Sequence, residues 1–409
     1  MAARLEDAAC GRFNACFPVI WENGKKVMVR FPVLGKHILR RQKTDHEVAT
    51  LEYIRRHTGI PVPKVLGRGL APMGPYVIMS WVPGRPLCRV LFPFPDRMRS
   101  IKAQEREEQL AYGEMAEILL RLSRVQCETI GSLVENEGKF AVAGRPLTFT
   151  MNELIRNCGL PLRAFPKRMY TSSRDYFEHL AHLHLHQFRT QFSGLINTEE
   201  DCRWKLTARF LFLNLVRDHI KFEKHKGPFP LYCDDLRPSN VWADKNNTSR
   251  VTAVIDWEFT YAAPVEFTYA APWWLVSGNP GLWDTELESV MGVYIPRLDR
   301  FIAAMRERED KLIRQRLMDE EHRLSRRMRA SMENGMFWLC LAARTPSLFD
   351  AIYWKYIHGR YYGETSNLDE RIQLLSEEQQ QELNTLTQRK VEEMDHISRP
   401  PTDIVLLNR

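Results

Sequence analysis

The chain has 409 residues, of which 44% are hydrophobic and 27% are charged, and its formal net charge is +7. This composition is typical of a folded globular protein and excludes an intrinsically disordered one, while the length exceeds what one compact core usually supports, so two lobes or domains are expected. The sequence contains no apolar run near the roughly 20 residues that cross a bilayer and no signal-peptide pattern at its N-terminus, so a cytoplasmic protein without a membrane partner is expected.

The N-terminal part of the chain is predicted to be rich in β-structure. Residues 17–21 and 27–30 are short runs of β-branched and aromatic side chains, and a turn at Gly24 would join them, with Arg30 at the end of the second run. Residues 76–82 form a further apolar run, which a Pro-Gly pair ends. These runs predict the strands of a β-rich lobe.

One helix is predicted between these strands. Apolar side chains recur at helical spacing over residues 48–54, and Thr44 or Asp45 is a suitable N-cap. Glu47 then lies near the start of the helix, where the helix dipole favours a carboxylate. Taken alone, Glu47 is an ordinary first-turn acid and Arg30 an ordinary solvated residue at a strand end.

Patterns that suggest a metal site are incomplete. Residues 176–192 predict a helix with four histidines, and His182 and His186 share one face of it, as a metal-binding pair would. No acidic or cysteine ligand set accompanies them, and His184 falls on the apolar stripe, so one partly buried histidine beside a solvated histidine face is expected instead. The eight cysteines are widely spaced without a C-x-x-C pair, which predicts reduced thiols.

Two polar loops form the most informative part of the chain. A strand over residues 229–232 leads to Asp235 and Asn240, five positions apart, and a strand over residues 251–255 ends at Asp256. Phosphoryl transfer from a nucleotide needs a carboxylate that orients or deprotonates the attacking hydroxyl, and an amide and a second carboxylate that hold magnesium. Each residue alone is usually a turn residue, but the joint pattern favours the kinase interpretation. Asp234, beside Asp235, is expected to be an exposed turn acid, with binding of a metal or of a substrate amine as the alternative.

The part of the chain after this motif contains an aromatic repeat. Residues 259–264 and 267–272 are two copies of Phe-Thr-Tyr-Ala-Ala-Pro, and Trp273 and Trp274 follow. Two short copies do not make a repeat fold. The cluster is expected to pack in the core beneath the site, with Trp273 or Trp274 as an alternative border of an acceptor pocket.

The basic residues concentrate in residues 297–329, but acids are interleaved with them and apolar residues keep helical spacing. This pattern predicts a solvated amphipathic helix with internal ion pairs and argues against a nucleic-acid partner. Residues 374–388 predict a terminal helix, and residues 398–402 predict an extended tail.

The chain resembles the aminoglycoside phosphotransferase-like kinases, in particular their fungal members. The resemblance rests on the motif from Asp235 to Asn240, on Asp256 at a strand end, and on the phrases at residues 264–267, 272–275 and 349–354. It implies a two-lobed, protein-kinase-like α+β fold. The implied parts are a β-rich N-lobe that binds phosphates, a mainly helical C-lobe with the catalytic and acceptor sites, and a C-terminal helix end and tail, at residues 1–82, 83–380 and 381–409.

The resemblance also implies a role for each residue of the site. Asp235 would be the catalytic aspartate, Asn240 and Asp256 would bind Mg²⁺, and Arg30 paired with Glu47 would hold the phosphates of ATP. A hydroxyl of a small molecule would be the acceptor.

The adenine and the phosphate-covering loop are assigned on the same basis. The main chain near Ser80 and Val82 would lie beside adenine, and the turn from Gly11 to Asn14 would replace a glycine-rich loop.

Two residues depart from the pattern of the family and leave the activity open. Arg30 stands where relatives have lysine, and Cys233 stands where they usually have histidine. An active small-molecule kinase is the first interpretation, and a non-catalytic nucleotide-binding pseudokinase or scaffold on the same fold is the alternative. A protein kinase is disfavoured, because no A-P-E-like segment follows Asp256. The sequence leaves open the identity of the acceptor, the choice of ATP or GTP, and the oligomeric state.

Overall fold

The computed structural model describes residues 3–5, 9–93, 101–191, 196–223, 225–276, 278–283, 286–364 and 367–398. An antiparallel β-sheet with one long helix packed on it forms the N-terminal part, and the C-terminal part is mainly helical. The predicted α+β architecture, with a β-rich N-lobe and a mainly helical C-lobe, is therefore confirmed. Within the described ranges, no helix is both long enough and apolar enough to cross a bilayer.

The sheet of the N-lobe is built from local hairpins. Its strands run in the order β1-β3-β4-β6-β5, and β2 pairs with β3. Gly24, with a φ of 76°, makes the turn between β3 and β4, and this pairing places Arg30 opposite Cys16. Alternate residues of β6, including Val77 and Met79, are buried, as expected for a half-buried strand. The strands are β1 (Ala3–Leu5), β2 (Ala9–Cys10), β3 (Asn14–Trp21), β4 (Lys26–Pro32), β5 (Val65–Ala71) and β6 (Gly74–Ser80).

Helix α1 (Arg40–His57) packs on this sheet, and the predicted stripe of apolar residues over 48–54 is buried. The predicted N-cap is wrong, because the helix begins about one turn earlier, after Leu39, whose φ is 50°. Thr44 is an interior helical residue, and its hydroxyl donates to the carbonyl of Arg40 at 2.8 Å. The earlier start adds Lys43 to the helix, one turn before Glu47.

The C-lobe contains short strands that carry the two polar loops. β10 pairs with β13, and β11 lies between β12 and β7. β7 follows the Pro-Gly pair that ends the N-lobe sheet, so the segment that joins the lobes is bonded directly to the strand after Asn240. The strands are β7 (Arg85–Pro86), β8 (Ser132–Asn136), β9 (Lys139–Gly144), β10 (Leu231–Cys233), β11 (Val241–Ala243), β12 (Val251–Val254) and β13 (Thr260–Ala262).

The helices of the C-lobe surround a large apolar core that includes Phe177, Phe212, Phe267 and Trp257. They are α2 (Cys88–Leu91), α3 (Ile101–Leu122), α4 (Phe149–Cys158), α5 (Ser173–Thr190), α6 (Glu199–Asn214), α7 (Val265–Tyr269), α8 (Leu287–Arg314), α9 (Leu324–Asn334), α10 (Met336–Arg344), α11 (Phe349–Ile352), α12 (Gly359–Tyr362), α13 (Leu368–Ile372) and α14 (Glu377–Ser398).

The histidine-rich helix α5 has the predicted mixture of environments. His184 is buried, and its Nε2 lies 3.2 Å from the carbonyl oxygen of Ala343. Burial lowers the pKa of His184 to about 3, so the ring is neutral. His182 is exposed on the other face. The burial of the stripe residue His184 is thus confirmed, but the predicted solvated histidine face is wrong in part, because His179 packs against Phe165 and Tyr170.

The single helix predicted over residues 297–329 is wrong. α8 ends at Arg314 and α9 begins at Leu324, because the backbone turns at Arg316, whose φ is 58°. The expected ion pairs join different helices rather than turns of one helix, as with Arg308 and Glu114, which are 2.7 Å apart. The terminal helix is longer than predicted, and the predicted tail beyond residue 398 lies outside the described residues.

Candidate active site

The two polar loops lie side by side, as predicted. The first joins β10 to β11, and the second joins β12 to β13. The backbone N–H of Ile255 donates to the carbonyl of Asn240 at 2.8 Å, which places Asp256 next to the end of the first loop. Asn240 in turn donates its Nδ2 to the carbonyl of Asp235 at 2.9 Å. These two hydrogen bonds bring Asp235, Asn240 and Asp256 together.

Asp256 has an uncommon backbone conformation. Its φ is 66°, in the left-handed region, which few residues other than glycine adopt and which aspartate tolerates better than most. Such conformations persist where the surroundings fix them, and they are concentrated at functional sites. Here the indole N–H of Trp257, the residue after Asp256, donates to the carbonyl of Val254 at 2.9 Å. This hydrogen bond closes the turn that contains Asp256.

Asp235 is buried, with 3% of its surface exposed. Burial raises its pKa to about 7, and the nearby carboxylate of Asp256 adds to the rise. The Nε of Arg237 lies 3.1 Å from Oδ1 of Asp235 and opposes the shift. A carboxyl group with a pKa near neutrality is suited to accept a proton at physiological pH.

Arg30 connects helix α1 to Asp256. Its guanidinium forms the predicted ion pair with Glu47, and its Nη1 also lies 3.1 Å from Oδ1 of Asp256. Burial opposes the charge, but Glu47 and Asp256 together hold the pKa of Arg30 above its ordinary value. A planar guanidinium can contact two carboxylates at once, whereas an ammonium acts as a point charge. The role of this pair in phosphate binding stays a prediction.

A second buried cluster was missed from the sequence. The ammonium of Lys43, on α1, forms an ion pair with Glu258, which is fully buried two residues after Asp256. The Nε2 of His37 lies 2.9 Å from Nζ of Lys43, and burial lowers the pKa of His37 to about 3, so its neutral ring accepts from Lys43. Asn14 donates to Oε2 of Glu258 at 3.0 Å.

The cluster includes one residue of the predicted phosphate loop. The Gly11 N–H donates to the carbonyl of Asn14 at 2.9 Å and closes the turn, and Nδ2 of Asn14 also lies 3.4 Å from Oδ1 of Asp256. The signal that could have revealed the cluster is the i, i+4 spacing of Lys43 and Glu47, which places both on one helix face. It was hidden because the helix start was predicted too late.

The interpretation of Asp234 as an exposed turn acid is wrong. Asp234 is 8% exposed and accepts from the N–H of Phe149 at 2.9 Å and from the hydroxyl of Tyr261 at 3.3 Å. Nη1 of Arg344 lies 3.6 Å from its Oδ1. These partners come from distant parts of the chain, so the local sequence gave no sign of them.

Cys233 is also buried, directly before the catalytic loop. Burial raises the pKa of its thiol, so it is neutral.

Ser80 and Val82, the residues predicted near adenine, lie in different surroundings. The Ser80 N–H donates to the carbonyl of Lys64 at 2.9 Å, and its Oγ accepts from the Lys64 N–H at 2.9 Å, so both are already engaged. Val82 is half-buried in the segment between β6 and β7. An adenine contact at either residue stays a prediction.

The residues assigned to Mg²⁺ are chemically suited to it. Mg²⁺ prefers oxygen ligands and binds through one or two carboxylates plus waters and phosphate oxygens. Because Asn240 commits its Nδ2 to the loop backbone, its amide oxygen is the atom that can ligate, and Asp256 adds a carboxylate. Arg30 already contacts one oxygen of Asp256, so a cation would share that carboxylate with the guanidinium.

A cavity of about 580 Å³ reaches the first polar loop at Asp234, and its lining also includes Phe149, Trp273 and Arg344. Trp273 is thus both part of the aromatic core and a border of this cavity. Its indole N–H donates to the carbonyl of Asp234 at 3.3 Å, which ties the cavity wall to the residue before Asp235.

Known proteins match the chain in sequence pattern and in structure. The sequence model of the phosphotransferase enzyme family matches residues 14–288. One similar structure is a protein from Ralstonia eutropha provisionally classed as an aminoglycoside phosphotransferase, with 12% identity over 97% of this chain and 94% of that chain and a TM-score of 0.44. A comparison with curated proteins finds no match.

Two further similar structures hold nucleotides. A mutant aminoglycoside 2'-phosphotransferase-IIIa in complex with GDP has 14% identity over 97% of this chain and 94% of that chain, with a TM-score of 0.43. An aminoglycoside phosphotransferase from Streptomyces rimosus in complex with ADP and streptomycin has 14% identity over 81% of this chain and 90% of that chain, with a TM-score of 0.37.

Proposed function

Because this chain belongs to the phosphotransferase enzyme family, we propose that it transfers the γ-phosphoryl group of ATP to a hydroxyl of a small molecule. The observation that carries the proposal is the joining of the two loops, in which Asn240 bonds to the backbone of Asp235 and to that of Ile255, the residue before Asp256. The fungal branch suggested by residues 264–267 and 349–354 is part of the same proposal.

Asp235 acts on the acceptor hydroxyl. It orients the hydroxyl and accepts its proton as the new O–P bond forms and the bond between the γ-phosphorus and the leaving oxygen of ADP breaks. The raised pKa supports this role. A carboxyl group with a pKa near 7 is ionised in a fraction of the molecules at neutral pH, and its carboxylate is a stronger base than that of an ordinary aspartate.

Asn240 and Asp256 hold Mg²⁺ in this proposal. When bound, the ion supplies positive charge to the β- and γ-phosphates. Arg30, braced by Glu47, contributes a fixed positive charge for the phosphates, and its bond to Asp256 sets the distance between α1 and the second loop. The main chain near Val82 contacts the adenine.

The test is turnover by the full chain with ATP and Mg²⁺ against a panel of hydroxyl compounds. Asp256→Ala is expected to abolish magnesium-dependent turnover, and Asp235→Asn to lower kcat by roughly 10²–10⁴-fold while leaving nucleotide binding intact. Asp45→Asn, which removes a half-exposed carboxylate on α1, is the control and should change neither. Full activity of Asp256→Ala would contradict the proposal.

A nucleotide-binding protein without turnover is the second candidate. The observation in its favour is the direct contact between Arg30 and Asp256, which leaves one carboxylate oxygen fewer for a cation. ATP would then stabilise the chain against heat without any acceptor of the panel being phosphorylated and without ATP hydrolysis. Acceptor-dependent release of ADP would exclude this candidate.

A further inference from the structure

The cavity beside the catalytic loop contains charged side chains of both signs, but it does not offer them to a ligand. Arg209 holds Asp350 with two parallel bonds, from Nη1 at 2.7 Å and from Nη2 at 3.1 Å. Arg344 lies 3.6 Å from Asp234, and this pair also lines the cavity. Arg209 is buried and the Arg344 side chain is 14% exposed, so each guanidinium has little water to replace its partner.

The remaining charged groups of the described cavity wall are also paired. Nη2 of Arg12 lies 3.4 Å from Oε2 of Glu153, and Glu153 accepts as well from the amide of Asn157 at 2.7 Å. Lys205 lies 2.9 Å from Asp201. Every charged residue of the described wall therefore has an opposite charge within the chain.

Because each charge of the described wall is balanced within the chain, the wall has no excess charge that would attract a ligand of either sign. A polycation that took Asp234 or Asp350 from its arginine would leave that guanidinium without its partner, which is unfavourable. A polyanion that took the arginines would in the same way leave the carboxylates without their partners. Arg344 is additionally fixed by a bond from Nη1 to the hydroxyl of Tyr232 at 2.6 Å and by the ring of Phe267, 4.4 Å below its guanidinium.

The rest of the wall is polar without charge, or aromatic. Amide side chains at Asn157, Gln187 and Asn279 line it, with hydroxyls at Thr150 and Ser347. Amides and hydroxyls both donate and accept, which suits the hydroxyls of a polyol.

Two aromatic side chains complete this wall, since Phe149 and Trp273 stand beside Asp234 and supply apolar surface. A volume of about 580 Å³ is in the range of pockets for small organic ligands.

We infer that the acceptor is an uncharged compound with several hydroxyls, such as a neutral glycoside or polyol, and that it binds in this cavity with one hydroxyl directed to Asp235. The inference rests on the proposed function. The bond from the Trp273 indole to Asp234 places the aromatic wall one residue from the catalytic carboxylate. A polycationic aminoglycoside does not fit this arrangement.

The test separates binding from turnover by using Asp235→Asn, which cannot take up the proton. Binding to this variant, with ATP and Mg²⁺ present, is measured by calorimetry for neutral mono- and disaccharides and polyols, for kanamycin as a polycation, and for gluconate and glucose 6-phosphate as anions. At least one neutral compound is expected to bind ten times more tightly than kanamycin and than either anion. Preferred binding of kanamycin or of an anion, or no binding by any neutral compound, would overturn the inference.

A second variant ties the binding to the cavity. Ser347 is exposed at the cavity wall, so Ser347→Trp fills the space without disturbing the core, and it should weaken binding of the neutral compound at least tenfold. Leu374→Trp, at a position 46% exposed and outside the cavity lining, should leave binding unchanged. Equal affinity in both variants would also overturn the inference. Neutral compounds that bind but are never phosphorylated by the unsubstituted chain would contradict the proposed function, whereas preferred binding and phosphorylation of a charged compound would overturn the inference alone.

Discussion

At the scale of single residues, the proposed chemistry depends on the pKa of one buried carboxyl group, that of Asp235. Burial raises the pKa of Asp235 to about 7, while Arg237 lowers it from 3.1 Å away. Asp235 is the proposed base and is ionised above its pKa, so kcat/KM should rise with pH through about 7 and level off above it.

Arg237→Gln removes the opposing charge and should move this limb to higher pH by about half a unit to one unit, a modest shift because Arg237 is partly exposed. The pH profiles of kcat/KM for both proteins test the shift. Arg250→Gln, at a position that is 75% exposed, is the control. An unmoved limb would mean that Asp235 is not the titrating group.

The same pKa has a consequence for stability. The pKa of Asp235 is higher in the folded chain than its ordinary value near 3.8, so ionisation of this group destabilises the fold as the pH rises from about 4 to about 7, and the full cost is present above 7. Asp235→Asn removes that cost. It should raise the free energy of unfolding by roughly 1–3 kcal/mol at pH 8 and by much less at pH 4. Chemical unfolding at the two pH values tests this, and a stabilisation independent of pH would contradict it.

Arg30 limits what Asp256 can bind. Its guanidinium contacts Glu47 and Asp256 together, and lysine, with one compact ammonium, would remain with one of them. Because Glu47 lies in the more buried position, Arg30→Lys should leave Asp256 freer to bind a cation. The concentration of Mg²⁺ that gives half-maximal stabilisation by ATP should fall, by roughly threefold to tenfold. A higher requirement for Mg²⁺ would show that the contact with Arg30 holds Asp256 in its ligating position.

At the scale of elements, the segment that joins the lobes is bonded to the catalytic loop. After Pro83-Gly84 the chain forms β7, the Leu87 N–H donates to the carbonyl of Val241 at 2.8 Å, and the Cys88 N–H donates to that of Pro238 at 3.1 Å. Pro238 lies between Asp235 and Asn240. A change in the joining segment therefore reaches the site through backbone hydrogen bonds.

Gly84 makes this contact possible. Its φ is 120°, and a Cβ at this position would lie 2.1 Å from the carbonyl oxygen of Ala243. Gly84→Ala must separate β7 from β11 and should cost roughly 2–4 kcal/mol of stability. Gly138→Ala is a matched control, because Gly138 has a φ of 79° but open space around the added methyl. Thermal unfolding compares the two, and equal losses would mean that backbone strain alone, rather than the close approach, sets the cost.

At the scale of the whole molecule, local sequence patterns predicted the strands, turns and neighbouring pairs, but they did not predict the contacts between residues that are distant in the chain. The strand ends that carry Asp235, Asn240 and Asp256 follow from short-range β-propensity and turn residues, and the pairing of Arg30 with Glu47 follows from one strand and one helix that are adjacent in the chain. Asp234 looked exposed because its partner, Arg344, lies more than a hundred positions away. Likewise, no local signal joins Lys43 to Glu258.

Lys43 and Glu258 form a buried ion pair between the N-lobe and the C-lobe. Lys43 belongs to the helix of the N-lobe, Glu258 follows Asp256 in the C-lobe, and both are buried. Removing one member of a buried ion pair leaves the other charge unpaired, which costs about 3–5 kcal/mol, whereas replacing both removes the problem. Lys43→Met alone should therefore be strongly destabilising, because Glu258 keeps only the bond from Asn14 and the neighbouring His37.

The double variant tests whether the pair acts as a unit. Glu258→Gln keeps an acceptor for Asn14 and removes the charge, so Lys43→Met combined with Glu258→Gln should recover most of the stability lost by Lys43→Met. Chemical unfolding of the two single variants and the double variant gives a coupling energy, which should exceed about 1 kcal/mol. Additive losses would show that the two residues stabilise the lobes independently. If the double variant is stable yet requires more ATP for half-maximal turnover, the ion pair also positions the loop of Asp256 for the nucleotide, because stability has been restored while the link between α1 and that loop has not.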